Sequence, residues 1–262
     1  MNITAYYKLI QTGLLSAYRD RSMLITDLLI ATGVPFFIQF AIWSFVYHGG
    51  TAETLPQYTL KETYLYYVSV LALNRLNNTY DLIFRVSTNV HEGQLEGIFI
   101  KPISYFKYNL FIFLGESILY YVPILIIAAF VMISGSIGPG AIGFIVLSLI
   151  NLLFCFLLGF LMSLSTFWLT RPDMTLSFQA ILANVIGGTL LPLSYWPEFL
   201  QPLMRYNPFR LLISGPAEFL LRPSSGLLIE LLSLYAAWFL IMLAACKIAF
   251  KFASNRYSGV GG

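Results

Sequence analysis

A group of polar and charged residues interrupts one of the apolar stretches of this sequence. Residues 62–85 predict a membrane-spanning helix, yet the stretch carries Asn74, Arg75, Asn78 and Asp81. A charged side chain inside a bilayer costs several kcal/mol when it faces lipid, so Arg75 has to face protein, water or a ligand. Two interpretations stay open. These residues form a polar seam between helices or at a cytoplasmic entrance, or they form a surface that contacts a transported substrate.

A continuous helix over this stretch would carry most of these polar side chains on one face. That face would consist of Asn74, Asn78, Asp81 and Arg85. The same helix would bring Asp81 and Arg85 together as an (i, i+4) ion pair. We take Asn74, Arg75, Asn78 and Asp81 as the candidate residues that line a transport pathway.

The chain lacks the sequence patterns of common catalytic and nucleotide-binding sites. It contains no Gly-x-x-x-x-Gly-Lys, no His-Glu-x-x-His and no Gly-x-Ser-x-Gly pattern. Cys155 and Cys246 lie within apolar runs, where cysteine acts as a small core residue, and His48 and His91 fall on opposite sides of a predicted span. We therefore expect no catalytic residue, no metal site and no cofactor in this chain. ATP and Mg²⁺ would be bound by a separate subunit if transport is ATP-driven.

The longest polar interruption of the chain is residues 91–104, His-Glu-Gly-Gln-Leu-Glu-Gly-Ile-Phe-Ile-Lys-Pro-Ile-Ser. Gly93 favours a turn, and Pro102 disfavours helix at the residue before it, so a short helix is predicted between them. Its apolar face would consist of Leu95, Ile98 and Phe99. Its acidic face would consist of Glu92 and Glu96. A helix of this kind fits a groove on a partner protein.

Prolines break a second stretch, residues 191–210, into short pieces. They stand at Pro192, Pro197, Pro202 and Pro208, and Asn207 precedes the last of them. Because proline interrupts helices, this stretch is too broken to span a bilayer. It predicts short helices that dip into the outer leaflet.

These two stretches resemble those of ABC type-2 exporter permeases. Gly-x-Leu-Glu, apolar residues and a proline nine positions after the glycine are similar to the coupling-helix loop of that family. The matching residues are Gly93, Leu95, Glu96, Ile98, Phe99, Pro102 and Ser104. Residues 192–208 resemble the re-entrant outer segment, in which a proline ends the fifth span and Asn-Pro follows, here at Pro192 and Asn207-Pro208.

The resemblance implies a membrane permease that works as a dimer, either with a second copy of itself or with a similar chain. Separate ATP-binding-cassette ATPases would drive transport through it. The coupling residues would be Glu92, Gly93, Leu95, Glu96, Ile98, Phe99 and Pro102. The re-entrant segment would include Pro192, Pro197, Asn207 and Pro208. Families of this kind move drugs, lipids and lipid-linked glycans, mostly outward, so an amphipathic small molecule, drug or lipid-linked compound is the expected cargo.

Composition alone indicates a membrane protein. Of 262 residues, 58% are hydrophobic and 10% are charged, whereas soluble domains carry about 25% charged residues. Six apolar stretches are long enough to cross a bilayer, at residues 23–47, 62–85, 108–134, 141–169, 174–193 and 226–249. Before them, apolar residues recur at helical spacing within residues 1–22, which predicts an amphipathic helix lying in the interface. Type-2 permeases begin with such an elbow helix.

Lysine and arginine predict the orientation. With both termini inside, ten of them lie in cytoplasmic segments, namely Lys8, Arg19, Arg21, Arg85, Lys101, Lys107, Arg171, Lys247, Lys251 and Arg256. Four lie in outer segments, namely Lys61, Arg205, Arg210 and Arg222. This excess favours cytoplasmic termini and places residues 91–104 in the cytoplasm.

We therefore predict an all-α membrane protein with six transmembrane helices, an N-terminal elbow helix, a cytoplasmic coupling helix and a re-entrant outer segment. Residues 1–262 would form one transmembrane permease domain, with the elbow at 1–22, the coupling loop at 86–107 and the re-entrant segment at 194–225. The expected location is a bacterial inner membrane, and no nucleic acid is expected as a partner. The alternatives are a membrane-embedded enzyme that modifies lipid and a passive channel or scaffold.

Overall fold

A computed structural model describes residues 3–19, 21–48, 58–77, 79–134, 138–169 and 171–256. Over these residues every regular element is a helix. The first helices are α1 (Ile3–Arg19), α2 (Arg21–Thr26), α3 (Val34–His48), α4 (Leu60–Leu76), α5 (Thr79–His91), α6 (Leu95–Phe99) and α7 (Tyr105–Ile133). They are followed by α8 (Gly138–Ser163), α9 (Asp173–Ile186), α10 (Gln201–Tyr206), α11 (Pro208–Leu212), α12 (Ser214–Leu221) and α13 (Ser225–Arg256). A π-helix, Asp27–Gly33, joins α2 to α3, and short 3₁₀ turns lie at Leu164–Phe167 and Leu193–Tyr195.

Three helices of the described chain are long and apolar enough to cross a bilayer. They are Tyr105–Ile133, Gly140–Phe167 and Ser225–Asn255, which coincide with the third, fourth and sixth predicted spans. Two shorter apolar helices, Val34–His48 and Asp173–Ile186, overlap the first and fifth predicted spans. The chain is therefore an all-helical, multi-pass membrane protein over the part described, and the arrangement with six spans stays a prediction.

The second predicted span is two helices rather than one. α4 begins with a capping box, because Thr59 Oγ1 accepts from the Glu62 backbone N–H and Thr59 N–H donates to Glu62 Oε2 at 2.7 Å. It ends at Leu76, and α5 begins at Thr79. The expectation of one continuous helix over residues 62–85 is therefore wrong. Asparagine side chains compete with the helical backbone for hydrogen bonds, which favours an interruption at Asn77.

The N-terminal helix packs closely along α7. A Cβ atom added to Gly13 would lie 2.2 Å from the Ile112 carbonyl oxygen, and one added to Gly115 would lie 2.1 Å from the Ile10 carbonyl oxygen. These two glycines therefore let the backbones of α1 and α7 touch, as small residues do where membrane helices cross. The predicted helix over residues 1–22 is present as α1 from Ile3, and its placement in a membrane interface stays a prediction.

The short helices α10 to α12 lie against the long helices, and α11 and α12 are almost wholly buried. Side chains from the long helices bind their carbonyl groups: Asn151 Nδ2 donates to Leu212 O at 2.8 Å, and Tyr235 Oη donates to Leu211 O at 2.5 Å. Irregular backbone is tolerated at membrane depth where protein supplies such partners. The backbone of α11 is therefore held by side chains of the long helices.

Candidate functional site

The interruption between α4 and α5 opens onto a cavity of about 820 Å³. Five helices contribute to its wall, namely α1, α4, α5, α7 and α9. The volume falls within the roughly 300–1,000 Å³ range of small-molecule pockets. Charged, uncharged polar and apolar side chains all line it. The cavity can therefore hold a ligand with both polar and apolar parts.

Three of the four candidate pathway residues line this one cavity. They are Asn74 and Arg75 at the end of α4 and Asp81 at the start of α5. Asn78 lies outside the described residues. The sequence missed the residues that other helices bring to the cavity, among them Ser16 of α1, Glu116 of α7 and Gln179 of α9. For Glu116 and Gln179, the sequence signal was the presence of a polar residue within an apolar stretch.

Gln179 joins the two sides of the helix interruption. Its Nε2 donates to Asn77 Oδ1 at 3.1 Å and to Thr79 Oγ1 at 2.5 Å. Gln179 is 3% exposed, so these hydrogen bonds are buried. Hydrogen bonds are stronger in such surroundings, and this side chain therefore supports the interruption from α9.

Arg85 is held by α7. Its Nη1 lies 2.5 Å from Glu116 Oε1, and its Nε donates to Asn109 Oδ1 at 3.3 Å. The (i, i+4) pattern indicated Asp81 as the partner of Arg85 and gave no sign of Glu116. The ion pair ties α5 to α7 in the cavity wall, where both residues contribute to the lining.

The stretch at residues 91–104 forms a turn and a helix of five residues, α6. Gly93 adopts φ +72°, a conformation that favours glycine, which explains the turn before the helix. Leu95 is 0% exposed and Ile98 is buried, and both pack into the core of the chain itself. The predicted docking face of Leu95, Ile98 and Phe99 is therefore wrong for Leu95 and Ile98, because the chain's own helices already cover them.

Other side chains of this loop point away from the core. Glu92, Glu96 and Pro102 are exposed, Phe99 is half exposed, and Ile100 is 86% exposed. The Phe99 ring packs edge-on against Tyr105 with the ring centres 6.2 Å apart. His91 Nε2 lies 3.2 Å from Leu169 O, so this loop and the segment after α8 are neighbours at the same end of the helix bundle. The surface open to a partner thus includes Glu92, Glu96, Phe99 and Ile100.

The proline-rich stretch is fastened through Asn207. Asn207 Oδ1 accepts from the Arg210 backbone N–H at 3.0 Å and caps α11, which Pro208 begins. Its Nδ2 donates to Ile186 O at 3.1 Å, at the end of α9. Pro192 is buried before a 3₁₀ turn, whereas Pro197 is exposed. Asn207 therefore fixes how the short helices follow α9.

Arg210 is the centre of an ion-pair network that sequence reasoning did not identify. Its Nη2 lies 2.8 Å from Glu218 Oε2, and its Nη1 lies 2.9 Å from Glu230 Oε1. Arg205 also binds Glu230, with Nη2 and Oε2 2.5 Å apart. Burial raises the pKa of Glu218, and the charge of Arg210 opposes that rise. Hydrogen bonding to Glu230 raises the pKa of Arg205. A second cavity, of about 510 Å³, adjoins this network.

The long apolar helices indicate a membrane protein, and a family comparison gives its class. A family model described as ABC-2 family transporter protein matches residues 31–261. The chain therefore belongs to the ABC-2 family of transporter proteins. No curated protein matches the sequence.

Proposed function

We propose that this chain is the permease subunit of an ATP-driven exporter. Residues 1–262 would act as one transmembrane domain in a bacterial inner membrane, with both termini in the cytoplasm. Two copies, or this chain with a similar one, would enclose the pathway, and separate ABC ATPases would bind and hydrolyse ATP with Mg²⁺. Membership of the ABC-2 family supports the transport class.

The observation that carries the proposal is the position of α5. Its first turns contribute Asp81 and Arg85 to the cavity wall, and its last residue, His91, leads directly into the coupling loop. A helix transmits displacement along its axis because its backbone hydrogen bonds resist bending. A push on the loop by an ATPase would therefore reach the cavity through α5.

The buried residues of α6 complete this connection. Leu95 and Ile98 attach α6 to the core of the permease, so the short helix moves with the spans rather than independently. Glu92, Glu96, Phe99 and Ile100 are left to contact the ATPase. The two carboxylates would orient the partner through basic groups at the rim, and the apolar side chains would supply affinity.

The test is association with the ATPase and transport-linked ATP hydrolysis in reconstituted vesicles. Glu96→Lys and Ile100→Ser should each weaken co-purification of the ATPase and lower the coupling of hydrolysis to transport. Glu198→Lys is the matched control, because Glu198 is also exposed but lies in the proline-rich stretch. If Glu96→Lys and Ile100→Ser both bind the ATPase and transport normally, the docking assignment is wrong.

A further inference from the structure

The charged residues in the wall of the 820 Å³ cavity balance one another. Among the described residues that line it, the cations are Arg75 and Arg85, and the anions are Asp81 and Glu116. A ligand with a net charge loses hydration on entering such a cavity and gains no net attraction from the wall. A ligand that carries one positive and one negative charge can place each of them near a wall residue of opposite charge.

The wall includes three buried polar atoms for which the described residues offer no hydrogen-bond partner, namely Arg85 Nη2, Glu116 Oε2 and Gln179 Oε1. Glu116 is 5% exposed and Gln179 is 3% exposed, so both side chains are largely buried in the cavity wall. Buried polar atoms without partners cost free energy, so this wall favours a ligand that supplies the missing partners.

The chemistry of these three atoms specifies what would satisfy them. Arg85 Nη2 is a donor, and it requires an acceptor such as a phosphate or carboxylate oxygen. Glu116 Oε2 and Gln179 Oε1 are acceptors, and they require N–H donors such as those of a protonated amine. All three residues line the cavity, so these atoms lie beside the space that a ligand would occupy.

The cavity also has an apolar side. Tyr80 and Phe84 of α5 line it, both are half exposed, and their rings stack nearly parallel with centres 6.2 Å apart. Leu176 and Ala180 of α9 add further apolar lining. A hydrocarbon chain can lie along this side while its polar head enters the charged part.

We propose that this cavity binds the zwitterionic headgroup of an amphiphile, one that carries a protonated amine close to an anionic oxygen group. The anionic end lies towards Arg85 and Arg75, and the amine lies towards Glu116, Asp81 and Gln179. The hydrocarbon part lies along Tyr80 and Phe84. This inference rests on the proposed export function, because it names the class of cargo for the same cavity.

The experiment is a competition for binding to the purified full-length chain in a nonionic detergent. Three probes share a dodecyl chain and differ in the head, which is phosphoethanolamine, phosphate or primary ammonium. They are added in equimolar mixture, and the amounts retained are read by native mass spectrometry. The zwitterion should be retained over each charged probe by about tenfold, which corresponds to about 1.4 kcal/mol. Equal retention, or preference for a charged probe, would overturn the proposal.

Charge-altering variants test whether the cavity is responsible. Asp81→Asn leaves the wall net positive, so the preference should move towards the phosphate probe. Arg75→Gln leaves it net negative, so the preference should move towards the ammonium probe. If the two variants shift the probe preference in opposite directions, partial unfolding of both variants cannot be the cause. The matched controls are Asp173→Asn and Arg171→Gln, an exposed ion pair of the same residue types whose charged atoms lie 3.8 Å apart, outside the cavity. These should not change the order of the probes.

A further arm separates an amphiphile from a water-soluble zwitterion. Phosphoethanolamine without a chain, added at the same concentration, should leave the retained dodecyl zwitterion unchanged, because it lacks the apolar contact. Full displacement by the chainless compound would contradict binding of an amphiphile. The measurement uses the permease alone, so its failure leaves ATPase docking untouched, and failure of docking leaves the order of the probes unchanged.

Discussion

Gly13 of α1 and Gly115 of α7 lie at one crossing point, where the absence of both side chains lets the two helix backbones meet. A Cβ atom at Gly13 would stand 2.2 Å from a carbonyl oxygen of α7, which no rotation of a side chain relieves. Ser16 and Ala17, one turn beyond Gly13, line the polar cavity. The crossing therefore positions α1 as part of the cavity wall.

The first prediction concerns this crossing. Gly13→Ala should force α1 away from α7 and lower stability by about 1–3 kcal/mol, the range for overpacked interiors. The measurement is the thermal unfolding midpoint of the purified protein in detergent. Gly33→Ala is the control, since a Cβ atom there meets nothing within 4 Å. Equal midpoints for the two variants would contradict the close contact.

The second prediction separates the buried and exposed side chains of residues 91–104. Leu95→Ala should destabilise the permease itself by about 2–5 kcal/mol, because it leaves a cavity in the core. Ile100→Ala removes an exposed side chain and should change permease stability by less than about 0.5 kcal/mol. Thermal unfolding of both variants without an ATPase provides the measurement. If Leu95→Ala leaves the unfolding midpoint unchanged, Leu95 does not stabilise the permease core, and a role in docking is again open to it.

The third prediction compares two arginines that share Glu230. Arg210 is 7% exposed and Arg205 is 56% exposed in their side chains. Arg210→Met leaves Glu218 without its cation in a buried site and should cost about 3–5 kcal/mol. Arg205→Met should cost about 1 kcal/mol or less, because solvent screens the pair. Chemical or thermal unfolding of the two variants measures the difference, and similar losses would argue against the central position of Arg210.

The fourth prediction concerns Asn207. Asn207→Ala removes the cap of α11 and the hydrogen bond to Ile186 O, and it should lower stability by about 2 kcal/mol. Asn255→Ala near the end of α13 is the control, because Asn255 is exposed. Unfolding midpoints supply the comparison. A loss no larger than that of the control would mean that Asn207 does not fasten the short helices.

The fifth prediction concerns orientation. In a variant without Cys155 and Cys246, a single cysteine at Gln94 should react with a membrane-impermeant reagent only from the cytoplasmic side. A single cysteine at Ser224 should react from the outside. The reason is the excess of lysine and arginine in the segments assigned to the cytoplasm. Labelling of Gln94→Cys in intact cells would show that the predicted orientation is wrong.

Much of the fold could be predicted because it depends on local properties. The apolar runs of α7, α8 and α13 are long enough to identify a span without knowledge of their neighbours. Gly93 and Pro102 likewise limit the short helix between them, since glycine and proline act on their own backbone. The match to the ABC-2 family over residues 31–261 agrees with the resemblance of the coupling loop and the proline-rich stretch.

The contacts of the candidate site could not be predicted in the same way. The interruption at Asn77 receives its hydrogen bond from Gln179, which is about 100 residues later, and Arg85 finds Glu116 on another helix. Periodicity describes which residues share a helix face but not what lies opposite that face. For the same reason, helical periodicity predicted an apolar docking face that includes Leu95 and Ile98, although the core of the chain covers both residues.

By itself, the sequence determined the membrane class, the long helices and the place of the short helix α6, because these follow from hydrophobicity and from backbone preferences of single residues. Only the tertiary structure decided which polar residues meet in one cavity, which ion pairs form and which face of α6 remains open. Those outcomes depend on the packing of helices that are distant in sequence. Packing sets the partners, the burial and hence the electrostatic energy of each charged group.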